Sequence, residues 1–179
     1  MINKNNLRNP RNILVGSRNL QEILEYHKKH MDDYLQFRDD LKCADFQDVD
    51  LSYAVLSWAI LEEADLSGSI LTGAWLNGAN LTSANLTNAD LSFANLKGAR
   101  LDSANLTGCN LYKANISFAN VDETNFQGAF IKDIIIYDTT GLGDAIFSDC
   151  TLDDELRNYL SGINPTVAPP PKNWKRYYI

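Results

Sequence analysis

Large apolar residues fall at every fifth position from Leu41 to Ile136 without a slip in register. The series runs Leu41, Phe46, Leu51, Leu56, Leu61, Leu66 and onward to Ile131 and Ile136, and every member is Leu, Ile, Val or Phe. Two places before each stands a small residue, most often alanine: Ala54, Ala59, Ala64, Ala74, then each fifth residue from Ala79 through Ala104. Ser69, Cys109 and Thr124 are small exceptions, and Val49 and Ile134, near the ends, are larger. Between the two lies a polar position, as in Asp65, Asn80, Asn85, Asp90, Asn95 and Asn105. Ser, Thr or Gly follow the large residue, as in Thr72-Gly73 and Thr107-Gly108.

A helix repeats every 3.6 residues and a strand every 2.0, so neither has this period. Each unit offers one large and one small side chain for burial. One unit cannot bury its leucine alone, so units must stack. A path that turns a corner every five residues closes after a few units and then places like residues over like. The large residues fill the interior, and the alanines leave room for them. Asn, Asp, Ser and Thr satisfy backbone groups at the corners.

The units "ADLSG", "ANLTS", "ANLTN", "ADLSF", "ANLKG" and "ANLTG" resemble the A(D/N)LXX signature of the pentapeptide-repeat proteins. The match covers about Ala44 to Asp138, nineteen units in register. The resemblance implies a mainly β fold, a right-handed four-sided β-helix with four pentapeptides per coil. Just under five coils at about 4.8 Å each make a rod roughly 23 Å long.

A solenoid exposes its core and unpaired edges at both ends, so capping elements are expected. Asn19 with Glu22 three places on reads as a capping box. Leu20, Ile23, Leu24, His27, Met31, Tyr34 and Leu35 then fall near helical spacing. They predict an N-terminal capping helix over about 19–39. Beyond residue 138 the pattern lapses at "YDTTGLGDAIF". It either returns shifted by one, with Ala145 and Phe147, then Cys150 and Leu152, or gives way to a short helix capped by Thr151 and ended by Gly162. A tail follows that is first proline-rich, at Pro169 to Pro171, then aromatic and basic. The expected organisation is an N-terminal segment with a capping helix (1–40), the repeat solenoid (41–138), and a loop, short helix and tail (139–179).

The chain has 179 residues, a net charge of −7 and three cysteines. The acidic balance argues against direct nucleic-acid binding, which needs clustered Lys and Arg. No apolar run is long enough to span a membrane, and the first residues carry no hydrophobic stretch of signal-peptide type. We expect a cytoplasmic protein without disulfides. His27 and His30 in "HKKH" lack further ligands at metal spacing, so no metal or cofactor is expected. No phosphate loop, HExxH or CxxC occurs, and we expect no enzymatic activity.

Four units per coil place residues twenty apart in one column. Glu62, Asp102 and Asp122 then share a column beside that of Glu63 and Glu123, forming a candidate acidic face. Residues 44–133 hold eleven Asp or Glu against four Lys or Arg, a balance of −7. Tyr53 and Phe93 share one outward column, Trp58 and Phe118 another, and Trp75 takes a position usually held by Asn or Asp. These five form a candidate interaction corner, unless the chain's own helix or tail covers it. The expected function is a monomeric scaffold for an unidentified protein partner. The alternative rests on the resemblance: family members linked to quinolone resistance mimic B-form DNA and bind DNA gyrase. In this chain residues 66–89 lack Asp and Glu, which interrupts such mimicry.

Overall fold

In a computed structural model of the chain, residues 8, 14–15, 18–29 and 41–164 are described. The five-residue period is realised as a tight turn in every unit. From Leu41 to Ala129, the N–H three places beyond each large apolar residue donates to that residue's own carbonyl at 2.9–3.3 Å. The third residue of each of these turns has φ between 54° and 68°. A four-residue turn closed by this bond, with its third residue but not its second in the left-handed region, is a type II β-turn.

Between turns, one residue per unit pairs with the coils before and after it. Asp45, Asp65, Asn85, Asn105 and Asn125 form one parallel column of such bridges, spaced by twenty residues. The columns beginning at Asp50, Val55 and Ile60 repeat this spacing, so each coil has four sides. These sides are named here by those first residues. The turns 41–44, 46–49, 51–54 and 56–59 are the corners between successive sides.

Leucine and alanine columns fill the interior. Every large residue from Leu61 to Leu111 is fully buried, as are the alanines beside them at 1% exposure or less. Where a polar residue replaces alanine, the backbone satisfies it: Ser69 Oγ donates to the Leu66 carbonyl at 2.7 Å, and Thr124 Oγ1 to the Leu101 carbonyl at 2.7 Å. The outward Asn and Asp accept from the N–H two places on, as Asn85 does from Thr87 at 3.2 Å. That bond ties each corner to the side before it.

The coils run past residue 138, where the repeat was expected to end. Asn120 pairs with Thr140 at a spacing of twenty, but Asn125 pairs with Ile146 at twenty-one. One extra residue is absorbed in the turn after Gly141, which spans four residues through the Ala145 N–H to the Gly141 carbonyl. The motif then returns shifted by one. Its last pairing is parallel, Phe130–Ile131 with Thr151–Leu152. A helix follows as well, so the two alternatives at this end coexist. Thr151 belongs to the pairing and is not the cap. Asp153 is the cap, its Oδ1 accepting from Leu156 N at 2.8 Å at the start of the helix Asp154–Ser161. Gly162 follows the helix with a right-handed φ of −81°. Leu156 and Leu160 are buried in the same core cluster as the leucine columns. Asn164 Nδ2 donates to the carbonyls of Leu142 and Ala145, both at 2.6 Å.

At the other end, Leu14–Val15 pairs antiparallel with Arg18–Asn19, and a helix spans Leu20–Lys29. Glu22 N donates to Asn19 Oδ1 at 2.9 Å, and Asn19 N to Glu22 Oε2 at 3.4 Å. Leu20 and Ile23 are buried in the same cluster as Leu41 and Phe46. The predicted continuation of this helix to residue 39, with His30, Met31, Tyr34 and Leu35, lies outside the described residues, as do the His27 side chain and the tail from residue 165.

Candidate functional site

Tyr53 and Phe93 stand at the third turn position of the corner between the Asp50 and Val55 sides. Trp58 and Phe118 hold the same position at the next corner, and Trp75 projects from the Val55 side between them. The five sequence-predicted residues thus cover one side and both corners that flank it, a wider surface than a single corner. All are exposed, from 44% for Trp58 to 72% for Tyr53.

Local geometry shows what these positions cost. Tyr53, Trp58, Phe93 and Phe118 adopt φ of 58° to 63°, a region that glycine enters freely and bulky residues avoid. Glycines in the next coil make room for two of the rings. A β-carbon on Gly73 would lie 2.7 Å from Tyr53 Cδ1, and one on Gly78 would lie 2.3 Å from Trp58 Cε3. In the Trp75 column, Asn95 accepts from Lys97 N at 3.2 Å and Asn115 from Ser117 N at 3.0 Å. An indole offers no such acceptor.

The structure adds neighbours that the column map did not single out. Phe93 packs edge-on against Tyr112, with centroids 5.5 Å apart, and Tyr112 lies 6.4 Å from Phe130. Phe118 packs against Tyr137 at 5.3 Å. Lysines stand over these rings: Lys97 Nζ is 5.2 Å from the Phe118 centroid, Lys113 Nζ is 5.1 Å from that of Tyr112, and Lys132 Nζ is 5.8 Å from that of Phe130. The twenty-residue spacing contains the signal, since Tyr112 and Lys132 share one column and Phe93 and Lys113 the next.

The acidic residues Glu62, Glu63, Asp102, Asp122 and Glu123 gather at the corner between the Ile60 and Asp45 sides, diagonal to the corner of Tyr53 and Phe93 and next to that of Trp58 and Phe118. They are partly neutralised there. Lys42 Nζ reaches Glu62 at 2.7 Å and Glu63 at 3.4 Å. The hydrogen bond from Lys42, reinforced by its charge, holds the Glu62 carboxyl below its usual range. Cys43 Sγ lies 3.4 Å from Glu63, and that hydrogen bond raises the thiol. Asp102 accepts from Asn120 Nδ2, with Arg100 Nε 3.6 Å from its other oxygen. Ser103 Oγ donates to Glu123 at 3.1 Å. Among the described residues no group of three His, Cys, Asp or Glu is placed to hold a metal ion. No described helix is long and apolar enough to cross a membrane.

The pentapeptide-repeat family model matches in eight copies, over residues 40–78, 71–102 and 89–128. A pentapeptide repeat protein from the Arabidopsis thaliana thylakoid lumen is 33% identical over 69% of this chain and 75% of its own, with a TM-score of 0.30. This chain belongs to the pentapeptide-repeat family. Rfr23, a pentapeptide repeat protein of the cyanobacterium Cyanothece, is 27% identical, with 64% of each chain covered and a TM-score of 0.44. QnrB1, a plasmid-mediated fluoroquinolone resistance protein, is 19% identical over 69% of this chain and 64% of its own, with a TM-score of 0.48. The chain thus spans slightly less than two thirds of Rfr23 and of QnrB1. No protein of curated function matches the sequence.

Proposed function

We propose that this pentapeptide-repeat protein is a non-catalytic, monomeric cytoplasmic scaffold that binds a protein partner through its Val55 side and the two corners flanking it. One observation carries the proposal. Tyr53, Trp58, Phe93 and Phe118 occupy left-handed turn positions while remaining exposed, and Trp75 replaces an asparagine that would tie down its corner. These choices lower local stability, and strain of this kind gathers where a surface has work to do. Exposed aromatic rings on a rigid frame supply contact area at little entropic cost. Helices lie against the core at both ends, which favours a monomer over end-to-end assembly.

A photo-cross-linking residue placed at 53, 75 or 93, in cells that naturally make the protein, tests this. Adducts from these sites, with none from 83 or 103 at the acidic corner, support the proposal. Adducts from the acidic corner alone overturn it.

The second reading is a DNA mimic that acts on gyrase. It rests on the register of Glu62, Asp102 and Asp122, which share one column at one corner, with Thr82 in the coil between Glu62 and Asp102. Lys42 and Arg100 weaken it by neutralising part of that column. A gyrase supercoiling assay, with and without a quinolone, decides it: inhibition or protection by the purified protein would favour mimicry over the scaffold.

A further inference from the structure

Counted from Leu41, the sixth coil is half built. Asn125 pairs with Ile146, and Phe130–Ile131 with Thr151–Leu152, so the Asp45 and Asp50 sides gain a sixth member. The other two sides do not among the described residues: Ile135 ends the Val55 column and Thr140 the Ile60 column. The chain leaves the coil instead as the helix Asp154–Ser161. That helix closes the core only in part. Ala114 and Ile116 are buried at 2% exposure or less. Ile134 and Ile136, one coil on in the same columns, stay half-buried. A small apolar cavity remains, lined by these two and by Leu156 and Leu160 of the helix.

The missing sides leave backbone donors unpaired. In the coil before, four successive N–H groups all find acceptors. Ile116 N donates to the Ile135 carbonyl, Ser117 N to Asn115 Oδ1, Phe118 N to the Tyr137 carbonyl and Ala119 N to the Ile116 carbonyl, at 2.8–3.0 Å. The equivalent N–H groups of Ile136, Tyr137, Asp138 and Thr139 have no acceptor among the described residues. No further coil serves Ile136 and Asp138, and Ile135 offers Tyr137 no side-chain oxygen. An open edge of this kind is a template for extended chain. Beside it, Ile135 is 55% and Tyr137 67% exposed.

We propose that this chain's own residues 165–171 close the gap, running from Asn164 back along the open edge toward Ile136. Place, reach and chemistry select this occupant. Asn164 is tied to the Leu142 and Ala145 carbonyls, at the corner where the Ile60 side ends, so the residues after it start at one end of the edge. Residues 136–141 are the stretch of coil to be retraced. Seven residues of polyproline II cover about 22 Å, and extended chain outruns a turning coil residue for residue. Pro165, Pro169, Pro170 and Pro171 carry carbonyls but no N–H. They accept from the unpaired donors and bring none that the edge must answer. Their rings rest on Tyr137, since aromatic side chains receive polyproline II segments. The scaffold reading neither requires nor excludes this contact.

The test is nuclear magnetic resonance of the isotope-labelled full chain with a nitroxide at Ala168→Cys. The exposed native thiol is removed by Cys43→Ser. The nitroxide is expected to broaden the amides of Ile136 to Thr139 more than those of Ser148 and Asp149, at the diagonally opposite corner. Nitroxide-bearing chain without isotope, mixed with isotope-labelled chain without nitroxide, should leave the same amides sharp. In the triple variant Pro169→Gly, Pro170→Gly and Pro171→Gly, hydrogen exchange at residues 136–139 should speed up about tenfold, while the central coils keep their protection. No broadening at the edge, equal broadening at both corners, or unchanged exchange in the triple variant would each overturn the proposal. Broadening in the mixed sample would assign the edge to a second copy, and exchange that slows only in host-cell lysate would assign it to a partner protein. Either result overturns it and leaves the scaffold reading standing.

Discussion

The indole of Trp58 lies against Gly78, one coil on, so closely that a β-carbon at 78 would stand 2.3 Å from Trp58 Cε3. Gly98, in the next coil of the same column, has the same φ of +67° and nothing within 4 Å of its imagined β-carbon. The two glycines therefore separate backbone strain from contact. Gly98→Ala places alanine in the left-handed region, at a cost of about 1 kcal/mol that reduced freedom of the unfolded chain partly offsets. Gly78→Ala carries that cost and also displaces the ring, adding about 1–3 kcal/mol. Chemical denaturation should rank them in that order. Combining Gly78→Ala with Trp58→Ala should recover the contact part, since the obstructing ring is gone.

Leu86 and Asn85 are neighbours in sequence and opposite in environment. Leu86 is fully buried in its column. Asn85 faces outward, accepts from Thr87 N and Thr87 Oγ1 at 3.2 and 2.7 Å, and donates to Asp65 at 3.1 Å. Leu86→Asp puts a carboxylate between stacked leucines and should cost several kcal/mol. Asn85→Ala loses outward hydrogen bonds that water replaces, at about 1 kcal/mol. Thermal melts that reversed this order would contradict the assignment of inside and outside.

The inside of the solenoid was legible because burial enforces it: large apolar and small side chains keep to separate columns, so the period survives in the sequence. The corners were less so. Tyr53 and Trp58 occupy successive corners although both were expected around one, because a column map orders residues without giving the angle between sides. Lys113 over Tyr112 is not legible in the columns, because cation–ring contacts depend on how long side chains lean across them. The C-terminal boundary failed for a different reason. One extra residue near Gly141 breaks the period in sequence, but a wider turn absorbs it, and pairing resumes at Ile146. Asp153 rather than Thr151 caps the last helix because Thr151 is already committed to the pairing with Phe130.

Asn164 joins the end of the last helix to that wider turn. Its amide donates to the Leu142 and Ala145 carbonyls, and the residue is 2% exposed. Asn164→Ala leaves two buried carbonyls without these donors, at about 1–3 kcal/mol. The loss should be local. Hydrogen exchange is expected to speed up in Asp154–Ser161 and around Gly141–Ala145, while the amides of the central coils keep their protection. Uniform loss of protection would show that the helix and the coils unfold as one unit.

The three cysteines report on the ends and the middle of the rod. Cys43 is exposed, with its thiol raised by the hydrogen bond to Glu63. Cys150 is half-buried, its Sγ donating to the Phe126 carbonyl at 2.8 Å, and burial pushes its thiol up to about 11. Cys109 is fully buried, and burial raises its thiol further. Only the thiolate reacts with iodoacetamide. At pH 8 Cys43 should be alkylated first and Cys150 far more slowly, with Cys109 modified only on unfolding. The rate at Cys150 should climb about tenfold per pH unit toward 11 if the thiolate fraction limits it. The same shift links to stability. The folded chain holds this proton more tightly than the unfolded chain, so the contribution of Cys150 is complete below the unfolded thiol value of about 8.5 and is lost as pH rises through 11. Cys150→Ser removes the titrating group and should flatten that alkaline decline. Equal declines in the two proteins would place its cause elsewhere in the chain.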